Sequence, residues 1–458
     1  MPPPSVKILE ESRVAVPATA ALPPEPLVLS ALDAMWIALP LIQRLLIFVD
    51  DDESHRPIPP FASVVAALRA SLAETAARFP VMAGQIVHVP ATGDAAIDCA
   101  DGGVRFNVAE MGHVDARRLA EDEDHDADAF RRLVPVLDAG QLPAEAMAAQ
   151  VTRLRGGVAL GVAMHHVVVD GRSVWRFIQA WAAACRGEDD ADLAAHAPPP
   201  TFDRKAIRLP GGEELARSVL RKYTPNLPKA ADMKAILVRP NLSRRTFTIS
   251  MQQINRLKQR ITDHSSFTPL SSFVAVVALA WVSFVRARHP DVITSLDDEV
   301  TLFFFADCRA RLDPPPGDGF FGTCISGCQA RAIARDLLLD DDDSGSSLAR
   351  AAAAVAAEVR RAAEEPLALW DTIMSQVERV DMDIDRLVIV SGSTRFPAYQ
   401  AADFGWGPPA RTELVTMNHD GQVVLVGGKD GDGGVQASVS LNPAHMDAFK
   451  SCFYSYVG

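Results

Sequence analysis

The residues best suited to chemistry lie in one short string, His165-His166-Val167-Val168-Val169-Asp170-Gly171. A strand-like run, Val158 to Met164, leads into it, and a helix-like run, Ser173 to Trp181, follows. An imidazole therefore falls where a buried strand ends and a turn begins, held by a rigid element yet open to a pocket. His166 and Asp170 stand four apart, a spacing that would put them on one face of a helix. The three β-branched valines between them, and the glycine after them, argue against a helix there. Paired His and Asp also offer metal ligation, but no third His, Cys or carboxylate stands nearby at a ligand-like spacing. Two readings stay open: an ordinary core or surface histidine, which a lone His more often is, or a group for proton transfer. An imidazole with an ordinary pKa of about 6.5 is largely neutral at pH 7 and able to take a proton from a hydroxyl. By itself the His-x-x-x-Asp pattern is common, so its meaning depends on the rest of the chain.

The chain has 458 residues, enough for two or three domains with sizeable cores. A net charge of −13 argues against a nucleic-acid partner and against docking on an anionic membrane. Much of that charge is gathered in Glu121 to Asp128, Glu188 to Asp190 and Asp340 to Asp343, which read as solvated loops. The six cysteines form no paired framework and no C-x-x-C, as in a reduced, cytoplasmic protein. No basic segment followed by an apolar core opens the chain, so no secretory leader is read there. The longest apolar stretch, Phe273 to Val285, is too short to span a bilayer and reads as a helix buried all round.

The elements that must position His166 alternate between strands and helices. Val64, Leu68, Leu72 and Phe79 follow a helical period, with Ser63 near the N-cap. The turn Phe79 to Gly84 precedes a strand, Gln85 to Val89, and Gly102-Gly103 reads as a hairpin turn joining Ala96-Ile97 to Val104-Phe106. Residues 187–234 hold acidic runs, Pro198-Pro-Pro200, Pro210-Gly-Gly212 and a short helix, the character of a crossover or domain boundary. Beyond it come a strand at Arg245 to Ile249 and a helix capped by Ser250. The buried helix from Ser271 to Arg288 and a fully buried strand at Leu302 to Phe305 follow. An Ala-rich helix (Ser347 to Glu365), strands near 387–390, 413–417, 423–426 and 435–439, and a closing helix from Pro443 complete the pattern. No short internal repeat is present. The two halves share a strand-and-helix style, suggesting two similar α/β domains with a site between them.

A second string is as unusual as the first: Asp403-Phe404-Gly405-Trp406-Gly407-Pro408, in which two glycines bracket a Trp behind an Asp. Its plain local role is a tight turn packed on an aromatic. In combination with His-x-x-x-Asp-Gly the chain resembles the plant BAHD acyltransferases, which use acyl-coenzyme A donors. The resemblance covers nearly all of the sequence. Val6 to Leu9 with Val14 to Pro17 is similar to the family's opening strand, and Leu29 to Asp33 followed by Trp36 to its next segment. Phe79 to Gly84 is similar to its FxPLAG turn, and Asp307-Cys-Arg309-Ala-Arg311-Leu-Asp-Pro-Pro315 with Phe320 to Cys324 to its DxRxRLxPP…YFGNC string. That last string points to the branch that acylates sugars on flavonoids and other phenolics, although Phe320 and Thr323 replace its usual Tyr and Asn.

The resemblance implies an α/β fold of two chloramphenicol-acetyltransferase-like domains, residues 1–186 and 235–458, joined by a crossover at 187–234. It implies a solvent channel between them, with His166 at its centre. It implies a monomer that binds an acyl-coenzyme A donor and a small hydroxylated acceptor as substrates, with no resident cofactor and no metal. The expected reaction is malonyl transfer to a sugar hydroxyl of a flavonoid, anthocyanin or phenolic glucoside. The alternatives are aromatic acyl transfer to oxygen or nitrogen, and a non-catalytic ligand-binding member. His166 is then the general base. Asp170 either orients it, as in a triad, or braces the turn by pairing with Arg309, the role the resemblance favours. Gly171 is read as the turn ending the strand. Asp403, with Gly405, Trp406 and Gly407, is a motif residue of mainly structural role. Arg172 is either an ordinary exposed residue or a two-pronged clamp for a malonyl carboxylate. Ser271 and Ser272 resemble the family's donor-side segment and cap a helix as well. Arg244, Arg245, Lys258 and Arg260 are further candidates to meet coenzyme phosphates.

Overall fold

The computed structural model describes residues 6–50, 56–188, 198–230, 239–264, 270–340, 345–365 and 383–458. Asp189, Asp190 and Asp341 to Asp343 of the acidic runs, and part of the 187–234 crossover, lie outside them.

The chain forms two compact units, each assembled from separated stretches. The first comprises Met1–Ile236, Leu312–Cys324 and Ala398–Thr416; the second comprises Leu237–Arg311, Ile325–Pro397 and Met417–Gly458. This differs from a contiguous division at 187–234. The described crossover residues group with the first unit, and so do two returning segments that carry Phe320 to Cys324 and Asp403 to Gly407. The physical reason is visible at residues 411–414. Arg411–Leu414 forms a strand that pairs antiparallel with Ile42–Val49, so its backbone hydrogen bonds are made in the first unit's sheet.

That sheet has six strands in the order Lys7–Ala15, Gly103–Asp115, Met147–Arg155, Gly157–Met164, Ile42–Val49 and Arg411–Leu414. Gly157–Met164 is bordered by antiparallel neighbours on both sides and is buried along seven of its eight residues. A strand covered on both faces needs apolar residues throughout, which is why Val158 to Met164 reads as a continuous apolar run. A smaller sheet contains Leu27–Val28, Asp94–Asp98, Gln85–Val89 and Ala144–Glu145. The hairpin expected at Gly102-Gly103 is absent. Asp94–Asp98 pairs within the small sheet and Gly103–Asp115 within the large one, so the two glycines carry the chain from one sheet to the other. A Cβ on Gly103 would come within 2.8 Å of the Arg13 side chain, and the glycine permits this close passage.

Two helices back the region around His166. Phe61–Arg78 buries Val64, Leu68 and Leu72, as its period predicts. Pro60, not Ser63, stands at its N-cap, and Phe79 falls just past its end. Gly171–Cys185 buries Trp175, Phe177, Ile178 and Trp181, each worth about 1.5–3 kcal/mol or more in apolar surface removed from water. The Trp181 indole N–H donates to Leu68 O and Ser71 Oγ at 3.1 Å, tying the two helices together through a satisfied polar tip.

The second unit has its own six-stranded sheet, ordered Ser243–Ile249, Val435–Leu441, Gln422–Gly427, Leu387–Gly392, Glu299–Asp307 and Ile325–Ile333. Ser272–Arg288 is its central helix, buried on every side from Val274 to Val285 against Ser346–Glu364, Pro443–Val457 and the sheet. Among the described residues no helix is long and apolar enough to cross a membrane. Leu302 to Phe305 is not fully buried. Leu302 and Phe304 enter the core while Phe303 and Phe305 are half-buried, the alternation of a strand with one covered face. Asp340 also departs from the solvated-loop reading. It pairs with Arg286 at 2.7 Å and accepts from Ser347 N at 3.0 Å. Those hydrogen bonds, outweighing partial burial, hold its carboxyl well below the usual range.

Candidate active site

The chain leaves the sheet at Met164 and turns at once. His165 N donates to Ala146 O at 2.8 Å, and Val168 N to His165 O at 3.0 Å. His165 is buried, with Val167 N 3.4 Å from its Nδ1, so this ring supports the turn from within. His166 points elsewhere and is half-buried. Its ring lies face to face with the indole of Trp36, with centroids 3.7 Å apart and planes inclined by 12°. Its Nδ1 is buried, and its backbone carbonyl accepts a hydrogen bond from Thr323 Oγ1 at 2.7 Å. Burial pushes the imidazole pKa from 6.5 down to about 4; its own carbonyl and the charge of Asp170 oppose this less strongly. At neutral pH the ring is uncharged and able to accept a proton.

Asp170 is wholly buried and stands at the N-cap of Gly171–Cys185. Its Oδ1 accepts from Ser173 N at 2.9 Å and its Oδ2 from Cys324 N at 3.1 Å. Both oxygens thus hold backbone, one at the start of a helix and one in the returning Leu312–Cys324 segment. Gly171 is the first residue of the helix, so the strand ends seven residues earlier than the reading of this glycine as its terminal turn requires. The same returning segment is stitched on through Ser173, whose Oγ donates to Gly322 O at 3.0 Å and accepts from Gly322 N at 3.2 Å.

Beneath this lies a buried ion pair that spacing alone did not reveal. Asp33 and Arg204 are almost fully buried and 3.4 Å apart. Arg204 donates to Phe321 O at 2.6 Å and to Val168 O at 3.3 Å, bonding the His166 turn and the returning segment together. Asp33 accepts from Ser30 Oγ at 2.6 Å and from Thr323 N at 3.3 Å. Burial raises the Asp33 carboxyl, and Arg204 and these hydrogen bonds pull it back. Asp33 and Trp36 stood in the sequence only as parts of a resembling segment. Arg204, in the crossover, carried no local signal at all.

The Asp403 loop is a closed arrangement. Asp403 Oδ1 accepts from Gly405 N at 2.9 Å and Gly407 N at 3.0 Å, while Oδ2 pairs with Arg56 at 2.9 Å. Its backbone carbonyl accepts from Arg186. Gly405 and Gly407 have φ of 112° and 93°, values open to glycine and costly for other residues. Phe404 and Trp406 are buried and stack at 5.9 Å, with Phe48 and Trp181 edge-on to them.

Arg172 is exposed at the second position of the Gly171–Cys185 helix. In the second unit, Ser271 caps Ser272–Arg288 by accepting from Val274 N at 3.2 Å. Ser272 is half-buried beside it. Arg309 is buried and pairs with Asp307 at 3.2 Å. Three of the basic candidates there are engaged with the protein through their side chains. Arg244 donates to Met417 O, Arg245 pairs with Asp447 at 2.6 Å, and Arg260 lies over the Tyr456 ring at 5.4 Å. The Lys258 backbone carbonyl accepts from Thr262 Oγ1 at 2.5 Å. Among the described residues no group of three His, Cys, Asp or Glu is arranged to hold a metal ion.

Comparison with known proteins agrees with this architecture. The chain is similar to malonyl-CoA:anthocyanidin 5-O-glucoside-6''-O-malonyltransferase of Arabidopsis thaliana, 29% identical with 98% of each chain covered. It is 26% identical to agmatine coumaroyltransferase of the same plant, over 99% of this chain and 100% of the other. Its fold matches the crystal structure of vinorine synthase with a TM-score of 0.74 at 18% identity, covering 99% and 98% of the two chains. The pattern of the family described as the Transferase family matches residues 5–456. The chain therefore belongs to this family, that of the BAHD acyltransferases, and is an acyltransferase that takes its acyl-coenzyme A as a substrate.

Proposed function

We propose that the protein transfers a malonyl group from malonyl-coenzyme A to a sugar hydroxyl of a flavonoid, anthocyanin or phenolic glucoside, with His166 as the general base. The observation that carries the base assignment is the imidazole placed just past the end of a buried strand and stacked on Trp36, where burial disfavours its charged form. A thioester reacts slowly with a neutral alcohol, so a base aimed at the acceptor hydroxyl is what the reaction lacks in water. With Nδ1 buried, Nε2 is the nitrogen that meets the acceptor. It takes the hydroxyl proton as the oxygen attacks the thioester carbonyl. The tetrahedral adduct then collapses with cleavage of the C–S bond. The leaving thiolate receives the proton, giving an ester and free coenzyme A.

Asp170, on this reading, braces the turn and does not move a proton. The malonyl donor is supported by the similarity to an anthocyanidin-glucoside malonyltransferase and by the exposed guanidinium of Arg172 beside the turn. Aromatic acyl transfer, including transfer to an amine, is the second reading, supported by the similarity to agmatine coumaroyltransferase. The six cysteines are not joined in disulfides, which supports a reducing, cytoplasmic setting.

A matrix of donors (malonyl-, acetyl- and coumaroyl-coenzyme A) against acceptors (phenolic glucosides, anthocyanin glucosides and agmatine), read as thiol release, decides between them. Malonyl transfer to a glucoside is expected to dominate, and Arg172→Ala to reduce it about tenfold or more while sparing acetyl transfer. Equal loss with all three donors removes the clamp, and preference for coumaroyl transfer to agmatine replaces the malonyl reading.

A further inference from the structure

We infer that Trp36 is a positioning residue for the transfer reaction, holding the His166 ring in one plane and receiving the positive charge that develops on it. The inference rests on the reading of His166 as the base. Three observations lead to it.

The first is geometric. Rings 3.7 Å apart and inclined by only 12° are in full face contact, not in the offset or edge-on arrangement of the protein's other aromatic pairs around the Asp403 loop. A face-to-face stack of two neutral rings is not the arrangement their quadrupoles prefer. The same stack is favourable when one ring is a cation, because the indole face is the most electron-rich of the side chains. The contact is therefore better suited to imidazolium than to imidazole. It strengthens as the proton is taken, which is the condition for an interaction to speed a reaction.

The second is the rigidity of the platform. Trp36 is buried in a single 3-10 turn, Met35–Ala38, that follows directly on the short helix Ala31–Ala34. That helix starts with a capping box in which Ser30 and Asp33 bond each other's backbone N–H groups. Asp33 also holds Thr323 N and pairs with Arg204. The indole is therefore anchored three residues from a buried ion pair and has little freedom to follow the imidazole.

The third is that the other side of His166 is fixed by the same framework. Thr323 Oγ1 donates to the His166 carbonyl, and Arg204 to the Val168 carbonyl. Backbone and ring are thus clamped by two branches of one network, one reaching the carbonyl through Thr323 and the other reaching the ring through Trp36. The carboxylate of Asp170 accepts from the N–H groups of Ser173 and Cys324 and so holds the backbone of the same turn. Trp36 does the orienting from the face of the ring.

The test compares Trp36→Phe, Trp36→Leu and His166→Gln in the full chain, with melting curves to show that each folds. Trp36→Leu is expected to lower kcat about tenfold to a hundredfold, with KM for the acyl donor changed by no more than about twofold. The acid limb of its kcat/KM profile moves to lower pH by roughly half a unit to one unit, because the charged ring loses its π partner. Trp36→Phe, which keeps a ring face, falls between Leu and the unaltered protein on both measures. In the NMR spectrum the His166 ring protons lose their ring-current shift in the Leu variant. A folded Leu variant with unaltered kcat and pH profile overturns the inference. So does an acid limb that moves upward toward 6.5, which makes Trp36 a cover against water and nothing more. If the Leu variant does not fold, Phe decides the matter by the same two readouts. Near-normal turnover in His166→Gln removes the base itself, a failure distinct from that of Trp36.

Discussion

Two loops of the first unit carry unusual strings, and they are built on opposite plans. Both use a carboxylate to hold backbone N–H groups: Asp170 takes Ser173 and Cys324, and Asp403 takes Gly405 and Gly407. Both are backed by tryptophan. In the Asp403 loop the carboxylate closes the turn on itself, and Trp406 packs among Phe48 and Phe404. In the His166 turn the carboxylate holds neighbouring elements, and one imidazole is left half-buried on the face of Trp36, with burial disfavouring its charged form. Two motifs made of similar residue types therefore differ in whether a titratable group is left over for chemistry. The first has one, and the second engages its only one with its own backbone and with Arg56.

His166→Ala is the sharpest way to break this contrast. It is expected to lower turnover by about 10² to 10⁴, with a melting curve to show that the variant folds, since the ring it removes also packs on Trp36. Turnover near normal would place the proton chemistry elsewhere. The pH profile sharpens the same point. Burial lowers the folded-state pKa of His166 to about 4 against 6.5. The unfolded chain therefore binds the proton more readily between these values. Stability contributed by the neutral ring is present above about pH 6.5 and is lost as pH falls toward 4. The acid limb of kcat/KM is expected well below 6.5, and a limb at or above 6.5 would mean the ring is not desolvated in the working enzyme.

Asp170→Asn comes next. An amide NH2 placed against a backbone N–H leaves a buried donor unsatisfied, costing about 1–3 kcal/mol in urea unfolding, with activity lowered together with stability. A variant of full stability and no activity would restore the triad reading. The smallest effect on rate is expected from the closed loop. Asp403→Ala and Gly405→Ala should each cost about 1–3 kcal/mol, the first through two lost backbone bonds and the second through a φ of 112°. Any turnover that survives should keep an unchanged pH profile. A changed profile in Asp403→Ala would give that carboxylate a part in the chemistry and erase the difference between the loops.

Much of the local structure was legible in the chain. The continuous apolar run at Val158 to Met164, the period of Val64, Leu68 and Leu72, and the capping residue Ser250 each report a local demand of backbone and burial. The failures share one cause. Gly102-Gly103 has the local chemistry of a hairpin turn, but which sheet each flanking strand joins is decided by partners far away in sequence. Residues 312–324 and 398–416 group with the first unit for the same reason.

The sequence by itself determined where an imidazole meets the end of a buried strand, because strand, turn and helix signals lie within some thirty consecutive residues. It also determined, through strings spread over the whole length, the family to which such an arrangement belongs. Only the tertiary structure decided what the imidazole touches. Trp36, Arg204 and Thr323 come to His166 and its turn from 130, 38 and 157 positions away along the chain. No periodicity links residues so far apart. Their meeting follows from burying one ion pair and stitching one returning segment onto one turn, energies that exist only once the chain has folded.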